Sequence, residues 1–401
     1  MSTAQITSEI KQYLLSNNIE NATKRLLDFA WYYSRESQQY ASSIALRKKY
    51  NLSKSLGQQE LEATERTHFK SKINEILSQL EKVVDPNSEQ NTEHLIQIRN
   101  LTKTFLHRAK AFSFGPLDMD IDKGNIVGVV GENGNGKTTF LRLLQEEITR
   151  DTGQITYNYN LADIAAEDQY KRKNRTAFIP QRIPKWRGTL MENLTFFAAI
   201  HGFKGAKNDE IVEYVIHRMG LSAFTGLTWN QISTGYKLRF ELAKMLVWEP
   251  DILILDEPLA NLDIQATQYL LDDLRFFANS SIHPIGVLLT SQQLHEVEQI
   301  ADKILFLKNG KPIFSGLKSE FEETREEGII EFSLAKHPDD LGRLLLNIKG
   351  VNSVNLSAKV NNIKFDKTHS SSDMIRTLLD SGLELTYFRD ITNSTIQLFS
   401  D

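Results

Sequence analysis

The chain has 401 residues, of which 40% are hydrophobic and 24% are charged, values typical of globular proteins rather than disordered chains. Its length predicts two or three domains, and its formal net charge of -4 provides no general attraction to nucleic acid or anionic lipid. The absence of cysteine excludes disulfides and thiolate metal sites and is consistent with a reducing cytoplasm.

The first 85 residues are predicted to form helices and to carry no targeting signal. Their start, MSTAQITSEIKQYLL, lacks the basic region and apolar core of a secretory signal, and no run approaches the roughly 20 apolar residues that span a bilayer. Apolar residues recur at helical spacing from Leu26 to Tyr33 and from Ile73 to Val84. The polar segment DPNSEQNT, with its helix-stopping Pro86, predicts a linker. We therefore place a helical domain at 1–85 and a linker at 86–93.

The pattern of apolar residues changes at His94, where short apolar runs begin to alternate with helical patterns. This alternation predicts an α/β domain over residues 94–316. An acidic helical stretch, EFEETREEG, predicts a connector at 317–328. The remainder shows a β-α-β-β-α-β order, which predicts a ferredoxin-like, split βαβ domain at 329–401.

A glycine-rich segment, GENGNGKTT, follows the buried-strand run IVGVV and precedes the helical pattern FLRLL. Glycines let backbone N–H groups turn toward a phosphate chain, the lysine adds a positive charge, and a threonine hydroxyl can bind Mg²⁺. The strand before and the helix after favour a P-loop over a ligand-free Gly/Asn-rich turn. The predicted nucleotide-binding residues of this segment are Gly131, Asn133, Gly134, Gly136, Lys137, Thr138 and Thr139.

A second predicted strand, DILIL, ends in the carboxylate pair Asp256-Glu257. A carboxylate at the carboxyl end of a parallel strand reaches the crevice where ligands bind. We predict that Asp256 organises Mg²⁺ together with Thr138, and that Glu257 polarises the attacking water. Alone, such a pair is typical of a solvated turn; its position after a P-loop favours catalysis.

The segment NQISTGYKLRFELAKML lies between these two motifs. Ser233 and Gly235 form a predicted turn before a helix whose apolar face includes Leu238 and Leu242. On its own, the pattern is equally compatible with an ordinary helix N-cap.

Taken in order, these segments resemble the nucleotide-binding domain of ABC ATPases over about residues 95–316. The resemblance implies a P-loop α/β fold that binds ATP and Mg²⁺ and hydrolyses ATP. It also implies further site residues: Phe105 stacking on adenine, Gln181 linking metal and water to the transporter interface, Ser233 and Gly235 closing on the ATP of an opposite protomer, and Asp263 at the dimer seam.

The resemblance has two departures. Thr234 and Tyr236 stand in the signature turn where Gly and Gln are commonest. In GVLLTSQQLHEVEQIAD, Gln292 stands where the family has its switch histidine, and His295 falls about one turn later, where we predict a surface residue. A glutamine amide can donate a hydrogen bond but cannot carry charge. With Glu257, Gln181 and Gln292 as the catalytic set, we expect an ATPase slowed roughly 10²-fold rather than abolished.

The order of domains, with the segment GTLMENLTFFAAIHGFKG, resembles ATP-binding subunits of ABC exporters whose membrane domains are separate chains. The resemblance implies a second ATP-binding domain as partner, a separate permease, and a location on the inner face of the cell membrane. No nucleic-acid partner is indicated.

Residues 1–85 are not standard for such subunits. Their pattern is weakly similar to effector-associated, death-like adaptor domains, which implies an effector partner; an unrelated helical bundle is the alternative. A soluble ABC ATPase that acts in signalling or a conflict system through this segment is the alternative function. Because the segment contains none of the phosphate-site motifs and precedes a linker, we expect the remainder to fold and hydrolyse ATP without it.

Overall fold

The computed structural model describes most of the chain, and the predicted linker at 86–93 lies outside the described residues. The described residues are 3–55, 61–82, 94–106, 111–158, 173–260, 262–323, 327–336, 338, 340–357, 360–366 and 368–392. Within these ranges, no helix combines the length and apolar character needed to cross a bilayer.

Four of the described helices lie within the predicted N-terminal segment. Their buried faces carry apolar residues at helical spacing, such as Ile6 and Ile10 on the first helix and Ile73 and Leu77 on the fourth. The helices are α1 (Thr3–Leu15), α2 (Ile19–Tyr33), α3 (Gln38–Ser55) and α4 (Ala63–Leu80).

The described residues of the central α/β part form two sheets. A three-stranded antiparallel sheet, ordered β2-β1-β4, comprises β1 (His94–Leu106), β2 (Ala111–Asp122) and β4 (Thr152–Tyr157). A six-stranded sheet, ordered β5-β6-β7-β3-β8-β9, comprises β3 (Ile126–Val130), β5 (Thr176–Ile179), β6 (Ile252–Leu255), β7 (Gly286–Ser291), β8 (Lys303–Lys308) and β9 (Lys311–Leu317). Its first five strands are parallel, and every residue of β3, β6 and β7 is buried, as expected for strands covered on both faces.

Seven α-helices in the described ranges surround these sheets. They are α5 (Lys137–Leu144), α6 (Leu190–Ile200), α7 (Ala206–Arg218), α8 (Thr234–Leu246), α9 (Ile264–Ala278), α10 (Leu294–Glu298) and α11 (Lys318–Glu323). Helix α6 begins with a capping box between Thr189 and Glu192, and Ser233 and Asp263 cap the starts of α8 and α9. The two short 3₁₀ turns Ser222–Phe224 and Trp229–Gln231 connect α7 to α8.

The C-terminal part forms the predicted split βαβ arrangement around its own core. Its elements are β10 (Glu327–Leu334), α12 (Leu341–Leu346), β11 (Val351–Asn355), β12 (Asn361–Asp366), α13 (Ser371–Asp380) and β13 (Leu385–Asp390). The antiparallel order β11-β12-β10-β13 is that of a ferredoxin-like sheet. Its first strand begins at Glu327, two residues inside the predicted connector, because Glu327 and Gly328 pair with Asp366 and Phe365.

The N-terminal helices share one hydrophobic core with the central α/β part. Trp31 stacks on Tyr214 of α7 with ring centroids 4.5 Å apart, and Arg25 donates to the carbonyl of Phe276 in α9 at 3.0 Å. This packing argues against the expectation that the remainder folds without residues 1–85. A polar linker in the sequence does not report whether the segments on its two sides pack against each other.

Candidate active site

The carboxyl ends of neighbouring parallel strands bring the predicted catalytic segments together. The P-loop follows β3, the pair Asp256-Glu257 follows β6, Gln292 follows β7, and Gln181 follows β5. These four strands are adjacent in the order β5-β6-β7-β3. Parallel strands end at the same edge of a sheet, and so the segments meet although they are distant in sequence.

The P-loop depends on glycine at two left-handed positions. Gly134 and Gly136 have φ of 83° and 99°, which side-chain-bearing residues rarely adopt. A Cβ at Gly136 would also lie 3.1 Å from the rings of Phe112 and Phe114. Asn133 and Gly134 are exposed at the tip of this loop, where their backbone is accessible to a ligand.

Lys137 lies at the start of α5 and links the loop to the catalytic carboxylate. Its side chain is only 5% exposed, and its Nζ donates to the carbonyl of Gly131 at 2.6 Å. The same Nζ lies 3.1 Å from Oε1 of Glu257. A phosphate entering the loop would compete with this carboxylate for the lysine.

Two glutamine amides hold the carboxylate of Glu257. Nε2 of Gln181 donates to Oε2 of Glu257 at 2.7 Å, and Nε2 of Gln292 donates to the same oxygen at 2.9 Å. Glu257 itself has φ of 46°, a left-handed conformation that is costly for glutamate. The carboxylate is thus positioned from three sides, by the two amides and by Lys137.

Asp256 and Thr138 provide a pair of oxygen atoms suited to a divalent cation. Oγ1 of Thr138 lies 3.2 Å from Oδ2 of Asp256. The buried hydroxyl of Thr290 donates to Oδ1 of Asp256 at 2.8 Å and accepts from the backbone N–H of Glu257 at 2.7 Å. Hydroxyl and carboxylate oxygens are the ligands that Mg²⁺ prefers, and so this pair fits the predicted metal. Thr290 was not among the predicted site residues; its signal was a hydroxyl next to the last position of the buried strand β7.

The structure separates the two switch candidates. Gln292 reaches Glu257, whereas His295 is exposed on α10. Ser291, the last residue of β7, donates to Glu296 and accepts from the N–H of Gln293 at 2.9 Å, which directs the chain into α10.

Phe105, predicted to stack on adenine, is half-buried on β1. Its ring centroid lies 6.4 Å from that of Phe112 on the paired strand β2, and Phe112 packs against Gly136 of the P-loop. Phe112 was missed because it lies outside the local motif; only the strand pairing brings it to the loop.

Ser233, Gly235 and Asp263 lie on a different cavity, of about 280 Å³, between α8 and α9. Oγ of Ser233 accepts from the N–H of Tyr236 at 3.4 Å, and Oδ1 of Asp263 accepts from the N–H of Ala266 at 2.7 Å. A Cβ added at Gly235 would lie 3.0 Å from Cβ of Ala266, so glycine permits the close approach of the two helix starts.

Residues 114–260 match the family described as ABC transporter, and the matched range contains the P-loop and the Asp256-Glu257 pair. Residues 114–260 belong to an ABC ATPase nucleotide-binding domain. Domains of this family bind ATP with Mg²⁺ and hydrolyse the ATP. The P-loop, the Asp256–Thr138 oxygen pair and the carboxylate of Glu257 fit these three tasks.

Relatives of this ABC cassette include proteins whose names state different roles. The chain is 26% identical over 277 residues to ABC transporter A family member 1 of Dictyostelium discoideum, covering 67% of this chain and 31% of that protein. It is 29% identical over 276 residues to the daunorubicin resistance ATP-binding protein DrrA3 of Streptomyces coeruleorubidus, covering 67% and 84%. It is 29% identical over 227 residues to the methionine import ATP-binding protein MetN 3 of Bacillus anthracis, covering 55% and 65%.

The ABC cassette also resembles a solved structure in its fold. The structure of cbiO1 from Clostridium perfringens, part of the ABC transporter complex cbiONQ, matches with a TM-score of 0.50 and 21% identity. The match covers 58% of this chain and 92% of that chain.

Proposed function

We propose that this chain is the ATP-hydrolysing subunit of an ABC exporter whose permease is a separate chain. The observation that carries the catalytic part is the carboxylate of Glu257, held by Gln181, Gln292 and Lys137 beside the Asp256–Thr138 pair. A carboxylate fixed at a phosphate site suits a general base for water. Bound Mg²⁺ would supply charge neutralisation on the phosphate oxygens.

In this proposal, the remaining predicted residues bind nucleotide. Lys137 and the P-loop backbone hold the phosphates, and Phe105 contacts the adenine ring. Ser233 and Asp263 are exposed at the starts of α8 and α9, and helix N-termini favour phosphate. They are thus available to the nucleotide of a second cassette, with which this chain would form a dimer that closes on ATP.

Helix α6 supports the permease part of the proposal because it exposes three large apolar side chains. Met191, Phe196 and Ile200 are 41%, 60% and 52% exposed. Such side chains on one short helix are suited to receiving a helix of a membrane partner. The subunit would then lie on the inner face of the membrane through its permease. Because relatives include both a resistance protein and an import protein, the exporter direction rests on the order of domains in this chain.

Phe196→Glu is expected to reduce stimulation of ATPase activity by the permease at least about tenfold, because it places a charge where an apolar contact is required. Basal activity of the subunit should stay unchanged. The assay compares subunit alone with subunit plus the membrane protein encoded beside it in proteoliposomes, and it follows transport into the lumen. The control is Leu15→Glu, an equally conspicuous exposed apolar residue at 83% exposure on α1.

Transport out of the lumen, toward the side that holds the subunit, would contradict the exporter direction. ATPase activity that no membrane protein affects would favour the soluble alternative.

Gln292→His is expected to raise kcat several-fold with little change in KM, because an imidazolium adds a charge-assisted contact that strengthens in the transition state. His295→Ala should leave kcat nearly unchanged, since His295 is exposed on α10. Steady-state ATPase assays on both variants check this. Loss of turnover in His295→Ala with no effect of Gln292→His would identify His295 as the switch residue instead.

A further inference from the structure

Helix α2 inserts charged side chains into the boundary between α7 and α9. Asp28 accepts from Tyr214 and Arg218 of α7, both at 2.7 Å, and Arg25 donates to Ser280 just beyond α9 at 2.8 Å. Asp28, Arg25 and Lys24 are each at most 4% exposed. Burial of charges is costly unless each is paired, and each of these three side chains has a partner on another helix or just beyond one.

Lys24 of α2 is linked through Asp273 to α8, the helix that follows the signature turn. Nζ of Lys24 lies 2.8 Å from Oδ1 of Asp273 on α9, a contact between residues 249 positions apart. Oδ2 of the same carboxylate accepts from Nε and Nη2 of Arg239 on α8, at 3.4 Å and 3.3 Å. Asp273 therefore joins α2, α9 and α8 at one buried point.

The charges around Asp273 alternate in sign. Burial alone would raise the pKa of Asp273, but Lys24 and then Arg239 outweigh it and hold that pKa below its usual value. Lys24 is itself paired with Glu20 at 3.0 Å on the preceding turn of α2, and Glu20 lies 3.7 Å from Arg47. The chain Arg47–Glu20–Lys24–Asp273–Arg239 thus alternates in sign from the N-terminal helices to α8.

Arg239 acts close to the signature turn. It lines the same cavity as Ser233, Gly235 and Asp263, and it lies less than two turns after Ser233 on α8. The starts of α8 and α9 are already at contact distance, with 3.0 Å between Cβ of Ala266 and a Cβ added at Gly235. A small shift of α8 along α9 would therefore change the separation of Ser233 and Asp263.

We propose that Lys24 is a positioning residue for the signature turn, which holds α8 against α9 through the shared carboxylate of Asp273. The N-terminal helices then help to fix the positions of Ser233 and Asp263, instead of forming a separate domain. This inference rests on the proposed function for the meaning of the signature turn, but its structural part concerns the free subunit alone.

Removal of Lys24 leaves Asp273 buried with only the longer contacts to Arg239. A buried carboxylate that loses its close partner either draws Arg239 toward itself or admits water, and both alter the contact between α8 and α9. Lys24→Arg keeps the charge and should retain the contact.

Hydrogen exchange of the full chain without nucleotide tests the proposal directly. Amides of residues 234–240 are expected to exchange at least about tenfold faster in Lys24→Met and within about twofold of the parent in Lys24→Arg. Two controls accompany them. Asp28→Asn weakens the buried ion pair of α2 with Arg218, which does not contact Asp273. Lys72→Met removes an exposed ion pair with Glu75 on α4.

Unchanged exchange over 234–240 in Lys24→Met would overturn the proposal. Equal acceleration of that segment by Asp28→Asn would also overturn it, because the effect would then be general loss of stability. A second readout is ATP-driven dimer formation in a Glu257→Gln background, which Lys24→Met should weaken about tenfold while ATP binding by each subunit stays within about twofold. If the Glu257→Gln parent itself forms no dimer, the proposed function fails, and the exchange data still decide the role of Lys24.

Discussion

Glu257→Gln is expected to lower ATP turnover by about 10²- to 10⁴-fold, the usual contribution of a positioned general base. The substitution keeps the shape of the side chain and removes the carboxylate that accepts a proton from water. ATP affinity should change little, since the P-loop and the Asp256–Thr138 pair remain in place. Lys137 should also become more available to phosphate, because the side chain at position 257, 3.1 Å from its Nζ, no longer carries a charge.

Two measurements on Glu257→Gln check this expectation. Steady-state turnover reports the loss of the base, and light scattering with ATP and Mg²⁺ reports whether unhydrolysed nucleotide holds two subunits together. The matched control is Glu147→Gln, which removes a carboxylate from an exposed pair with Arg142. Turnover equal to the parent would show that Glu257 is not the base.

Deletion of residues 1–82 is expected to produce a protein that does not fold stably. The helices contribute many fully buried side chains to a core that includes α7 and α9, among them Ile6, Leu27, Phe29 and Trp31. Each large apolar side chain stabilises a fold by about 1.5–3 kcal/mol when buried, so a few of them equal the about 5–15 kcal/mol that typically stabilises a domain. The deletion also removes Lys24, whose Nζ lies 2.8 Å from Oδ1 of Asp273 in the full chain.

A single substitution tests the same packing through a smaller loss of stability. Trp31→Ala should lower the free energy of unfolding by about 3–5 kcal/mol, because it removes the ring stacked on Tyr214 and leaves a cavity. Leu15→Ala, at a residue that is 83% exposed, should change it by less than about 0.5 kcal/mol. Chemical denaturation measures both. A deleted protein with a cooperative transition and ATPase activity near the parent would restore the view of residues 1–85 as a separable domain.

The P-loop, the Asp256-Glu257 pair and the split βαβ order were readable from the sequence, because each depends on local spacing. Glycines at left-handed positions before a lysine and a helix determine a phosphate loop within a few residues. An alternation of short apolar runs with helical patterns likewise determines the order of strands and helices. The P-loop fold, the ATPase family and the use of ATP with Mg²⁺ followed from these local signals.

Only the tertiary structure determined which side chains meet. Gln181 and Gln292 belong to loops after different strands, and it is the sheet order that brings both amides to one oxygen of Glu257. The same holds for Lys24 and Asp273, whose contact no local pattern predicts. An amphipathic helix shows in its sequence that one face is buried, but its apolar periodicity is nearly the same whichever partner covers that face. The sequence therefore located the helices of residues 1–85, and the folded chain determined that they pack against α7 and α9.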